Sequence, residues 1–121
     1  MTIKEIYEHL NDIAIRDEFV KQVEKQYGNI NNNEIKLMLS LKNDFYNLGD
    51  KLFRKLDDDE ILDPVKYLGV NMAQIHLVPL FDISDNDFIT YDVQNNEFAL
   101  FNIQEEIAFS RTNNFLDYLN K

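Results

Sequence analysis

Residues 75–103 read IHLVPLFDISDNDFITYDVQNNEFALFNI, and the architecture follows from how this stretch is punctuated. Apolar runs of strand length are broken twice by clusters of Asp, Asn and Ser. The pattern predicts strands over Ile75 to Ile83, Phe88 to Val93 and Glu97 to Ile103. Ser84-Asp85-Asn86-Asp87 and Asn95-Asn96 are the turns between them. Connections this short join antiparallel neighbours, so the three strands form a meander. Pro79 has no amide donor, which places the first strand at a sheet edge or gives it a bulge. The series Phe81, Phe88, Tyr91, Phe98 and Phe101 reads as core and cross-strand packing.

Upstream, Lys51 to Asp57 reads as another strand and Asn43 to Asp50 as irregular. Asp63 is the expected cap of a short helical segment with Pro64 in its first turn and Gly69 at its end. Before these, the apolar period changes to that of helices. Thr2 to Asn11 carries a stripe of Ile3, Ile6, Tyr7 and Leu10, and Thr2 with Glu5 matches a capping box. Asp17 to Tyr27 carries Phe19, Val20, Val23 and Tyr27, with Gly28 at the C-terminal cap. Glu34 to Leu41 carries Ile35, Met38 and Leu39, after the Asn31-Asn32-Asn33 turn. Asn114 to Asn120 is a short C-terminal helix. The expectation is a single α+β domain over residues 1–121, an antiparallel meander with N-terminal helices and a C-terminal helix packed on it.

Composition narrows the function. The chain has no cysteine, which excludes disulfides, thiolate chemistry and Cys-based zinc sites. No apolar run approaches the roughly 20 residues that span a bilayer. The charged first ten residues do not resemble a signal peptide, so the expected location is the cytoplasm. The net charge of −10 repels nucleic acid and anionic membranes and attracts basic proteins. Solubility alone also accounts for such a charge.

Tests for specific chemistry come out negative. An EF-hand loop beginning at Asp82 would need Gly at its sixth position and Glu at its twelfth, and these are Asp87 and Val93. The two histidines, His9 and His76, read as a surface residue and a strand-face residue in different elements. Glu97-Phe-Ala lacks the lysine of a metal-dependent nuclease strand, and no Gly-rich phosphate loop occurs among three glycines. These readings imply no cofactor, no metal and no enzymatic activity; a small hydrolase using Asp82 to Asp92 is the rival that metal titration would expose. Two acidic clusters remain. One is Asp57-Asp58-Asp59-Glu60, near Asp63; the other is Asp82, Asp85, Asp87 and Asp92, read as one end of a hairpin. Helix capping and turn chemistry explain part of this acidity, including one of Asp57 to Asp59, and do not require four successive acids.

Leu52-Phe-Arg-Lys-Leu-Asp followed by Asp-Asp-Glu-Ile-Leu, then Leu77-Val-Pro-Leu-Phe-Asp-Ile, Asp85 to Asp92, Phe98-Ala-Leu-Phe-Asn-Ile and Asn114-Phe-Leu-Asp-Tyr-Leu, together resemble the SMI1/KNR4 (SUKH) superfamily. The likeness covers Leu52 to Leu119. It departs from the family in lacking Trp, whose place Phe98 or Phe101 would take, and in lacking a Pro before the third helix. The resemblance implies a strongly bent antiparallel sheet and a binding role. Bacterial members are mostly immunity proteins that neutralise a cognate polymorphic or contact-dependent toxin by direct contact, often a nuclease with a basic cleft. The fungal relatives imply an alternative, an intracellular regulatory interaction module. The expected partner surface comprises Asp57, Asp58, Asp59, Glu60, Asp85 and Asp87, with Tyr91 as an aromatic anchor.

Overall fold

The computed structural model describes residues 5, 8, 10–48 and 51–118. The expected first helix, with its Thr2 capping box and His9, falls largely outside these residues, and a 3-10 turn at Leu10–Asp12 leads into the rest. Helix α1 is Asp17–Tyr27 and buries Phe19, Val20, Val23 and Tyr27, the stripe expected from the sequence. It ends at Gly28, whose N–H donates to Glu24 O at 3.0 Å. Gly28 has φ +123°, and a Cβ there would sit 3.2 Å from Val93 Cγ2, so both conformation and space favour glycine. Helix α2 is Asn33–Leu39, capped by Asn32, whose side chain accepts from Glu34 N at 2.9 Å.

The sheet is six-stranded and antiparallel throughout, with its strands in sequence order. They are β1 Phe45–Leu48, β2 Lys51–Lys55, β3 Leu77–Ser84, β4 Asp87–Asp92, β5 Glu97–Asn102 and β6 Ile107–Thr112. Between β2 and β3 lie two short helices, α3 Asp58–Leu62 and α4 Pro64–Leu68. Gly69 ends α4 in the left-handed conformation, as expected. A 3-10 turn at Phe115–Tyr118 stands where the C-terminal helix was expected. The fold is therefore α+β, built on an antiparallel meander.

Four features refine or extend these expectations. Asn43 to Asp50 is not simply irregular, because β1 lies within it and pairs with β2. Of the edge or bulge expected at Pro79, the structure shows the bulge: β3 is internal, and Pro79 is tolerated for two reasons. The register shifts between Pro79 and Phe81, and β2 pairs only with Phe81 and Asp82, so Pro79 lies beyond the end of β2. His76 is not on a strand. It sits in the turn before β3 at φ 59°, with Nδ1 2.9 Å from Tyr27 O. Strand β6 has no counterpart in the sequence reading.

The β6 hairpin repeats the turn before it. Asp92 Oδ1 accepts from the N–H groups of Gln94 and Asn95 at 2.9 and 3.0 Å. Asn102 Oδ1 accepts from those of Gln104 and Glu105 at 3.1 and 2.9 Å. Four residues after each, Asn96 (φ 54°) and Glu106 (φ 55°) return the chain, their N–H groups donating to Asp92 O and Asn102 O. An Asx side chain that satisfies the turn amides begins both hairpins.

The core follows the aromatic series. Phe53, Phe81, Phe115, Phe98 and Tyr91 form a connected run of rings with successive centroids 6.3, 5.7, 5.5 and 5.4 Å apart. Tyr118 packs edge-on to Phe98 and Phe115. Tyr27 Oη donates to Ile61 O at 2.6 Å and ties α1 to α3. Among the described residues, no helix is long and apolar enough to cross a membrane.

Candidate partner-binding surface

The first acidic cluster is organised by the start of α3. Asp57 is the N-cap: Glu60 N–H donates to its Oδ1 at 2.9 Å, and Asp57 N–H donates to Glu60 Oε1 at 3.1 Å. This is a complete capping box. Asp63 occupies the corresponding position for α4, yet its side chain makes no capping bond, contrary to expectation. Asp58 takes a bidentate pair from Arg16 at 2.9 and 2.5 Å. Glu60 takes another from Arg54 at 2.7 and 2.8 Å. These guanidinium bonds hold both carboxyls below the usual carboxylate range. Of the four, Asp59 alone has a side chain with neither a capping bond nor an ion pair among the described residues. Three of the four successive acids therefore have work inside the fold.

The sequence reading missed Lys55. It ends β2 at 1% exposure, with Nζ donating to Leu56 O at 2.9 Å. Burial lowers its pKa to about 8; Asp58, Asp57 and Glu60 act in the opposite direction, and Arg16 adds to the lowering. Strand alternation was the available signal. Phe53 faces the core, and a residue two positions on shares its face.

Arg54 joins the two acidic clusters. It holds Glu60 on one side and reaches Asp82 Oδ2 at 3.5 Å on the other. The β3–β4 turn follows, with Ser84, Asp85 and Asn86 all left-handed at φ 85°, 56° and 67°. Asp87 Oδ1 accepts from Asn102 Nδ2 at 2.8 Å. Asp85 is exposed and, among the described residues, its carboxylate has no ion pair. A cleft of about 340 Å³ opens here, lined in part by Arg54, Glu60, Tyr67, Asp82 and Asp85. A second cleft of about 580 Å³ is lined in part by Arg16, Lys42, Asp57, Asp58 and Asp59.

Two expected members belong elsewhere. Asp92 is at the far end of β4 from Asp87, about 17 Å along the strand at the usual rise per residue. It is 5% exposed and anchors the β4–β5 turn. Burial acts to raise its pKa, but bonds from Asn95, Arg111 and Gln94 outweigh this and hold it below the usual range. Tyr91 is 2% exposed, with its ring against Phe98 and its hydroxyl 3.3 Å from Asn96 Oδ1. It is a core residue and offers no exposed ring as an anchor, because β4 is buried on both faces from Phe88 to Asp92.

The structure thus unites Glu60, Asp82 and Asp85 around Arg54, and sets Asp57, Asp58 and Asp59 along a neighbouring cleft. No group of three or more His, Asp or Glu suited to a metal ion occurs among the described residues. Compared with known proteins, the chain matches no protein-family model, no curated protein and no solved structure.

Proposed function

We propose that this chain is a cytoplasmic immunity protein of the SMI1/KNR4 type that binds and neutralises a cognate toxin and performs no catalysis itself. The observation that carries this reading is the likeness over Leu52 to Leu119. Its quoted segments correspond in order to β2 and α3, to β3 and β4, to β5, and to the closing turn. The charge supports it independently. A net charge of −10 suits a toxin with a basic cleft, and long-range attraction speeds such an encounter.

The test is co-expression with the toxin encoded beside it. The expected outcome is restored growth and a complex that co-purifies at the two proteins' natural ratio. Absence of both protection and complex overturns the reading. A stable complex with a non-toxin regulator, and no protection against toxins, replaces it with the regulatory interaction module.

A further inference from the structure

Among the described residues, nothing covers part of one face of the sheet beside the Arg54 cleft. Phe45 lies opposite Arg54, Arg54 opposite Asp82, and Asp82 opposite Phe88. Directly opposed residues share a face, and Leu52, two positions from Arg54, shares it as well. Helices α3 and α4 cover this face from Arg54 inward through Glu60, Tyr67 and Leu68. Toward the β1 edge the cover stops: Phe45 is 59% exposed and Leu52 55%, while Tyr67 at the cleft is 48% exposed. Large apolar side chains gathered in one region mark interaction surfaces more often than isolated ones do.

The cleft states the chemistry of the occupant. Leu68, Phe88 and Ile103 supply apolar lining, and Tyr67 supplies an aromatic face. Glu60, Asp82 and Asp85 contribute three carboxylates against the single guanidinium of Arg54. That guanidinium is already held by Glu60 and Asp82, so negative charge remains in excess at Asp85. A second copy of this chain would bring another −10 against the same face. A long cationic side chain fits better, with its methylenes on the apolar lining, its charge at Asp85 and Asp82, and Tyr67 available for a cation–π contact.

We infer that the partner protein docks on the face formed by Phe45, Leu52 and Tyr67 and inserts an Arg or Lys side chain into the adjoining Asp82–Asp85 cleft. This rests on the protein-binding reading above and adds where contact occurs and by what group.

The probe is the peptide acetyl-Leu-Arg-Leu-amide, titrated into the ¹⁵N-labelled chain, beside the same peptide with neutral citrulline in place of arginine. The expected result is amide shifts concentrated at residues 52–54, 67–68 and 82–86, about fivefold smaller with citrulline. Asp85→Asn should abolish most of the shift, whereas Asp59→Asn should leave it unchanged; both positions are exposed, so the fold is retained. Shifts centred on Asp57 to Asp59, or equal for both peptides, overturn the assignment. So does a dimer seen by sedimentation equilibrium and dissolved by Leu52→Asp. The titration needs no toxin, so localised shifts without protection in cells refute the toxin reading alone. Protection that survives Phe45→Asp with Leu52→Asp and Asp85→Asn refutes this surface alone.

Discussion

Lys55 shows how one buried charge sets a pH dependence. Its pKa is near 8 in the folded chain and 10.5 as the ordinary value. Below pH 8 it is charged in both states, and folding bears the full burden of burying the ammonium. Between about 8 and 10.5 the folded chain has lost the proton and the unfolded chain has kept it, so stability rises with pH. The gap corresponds to about 3 kcal/mol as an upper figure. Lys55→Met should therefore raise stability at pH 7 by about 1–3 kcal/mol, as replacement of buried charge by a well-packed apolar side chain can do. It should also flatten the rise between pH 8 and 10.5. Urea titrations of both chains across that range check this; a Met variant with an unchanged pH slope contradicts it. The carboxylates give a slope of the same sign, in an acid window instead of an alkaline one. Asp58, Glu60 and Asp92 are held below the usual range, so their contribution is present above that range and is lost as pH falls through their lowered values.

At the scale of elements, α3 is a five-residue helix that could not stand alone. Its capping box closes two otherwise orphaned backbone donors. Asp57→Ala should cost about 1 kcal/mol. Glu60→Ala should cost somewhat more, about 1–2 kcal/mol, since it also breaks the bidentate pair with Arg54. Asp59→Ala should fall within about 0.5 kcal/mol of the parent. Chemical denaturation of the three variants gives the order, and an Asp59→Ala loss equal to that of Asp57→Ala would contradict this division of roles. The same α3 segment shows what local patterns reveal. The acids before an apolar pair announce a helix start, but only the register shows which one caps. The β4–β5 turn was legible because Asn95-Asn96 is a strong turn pair. Its repeat at Asn102 was not, because Gln-Glu-Glu is an ordinary helical or surface sequence and β6 is largely exposed. Strand β1 escaped for a similar reason: Phe45 and Tyr46 are both aromatic, yet the first is exposed and the second buried, so the residue types do not reveal the alternation that pairing with β2 imposes.

For the whole molecule, the charge is uneven in its function. Much of the acidity at Asp57 to Glu60 is matched by Arg16 and Arg54, while Asp59 and Asp85 remain outward. Exposed pairs such as Arg16–Asp58, with side chains 46% and 42% exposed, contribute little. The excess of acids then opposes the compact state by self-repulsion. Raising NaCl from about 20 mM to about 300 mM should increase Tm by about 2–4 °C as this repulsion is screened. Thermal melts monitored by circular dichroism test this, and a falling Tm would mean that attractive surface pairs dominate instead.

The order of apolar runs and turn residues carried the α+β class, the three central strands, α1 and the aromatic core, because those patterns report burial locally. Long-range pairing decided the rest. It placed Pro79 at a bulge beyond the end of β2, buried Lys55 and Tyr91, separated Asp92 from the other turn acids, and brought Glu60 to Asp82 through Arg54. A linear chain shows which residues are acidic or aromatic. Which of them face solvent, and which are already matched by a distant guanidinium, depends on strand register and on helices packed across the sheet.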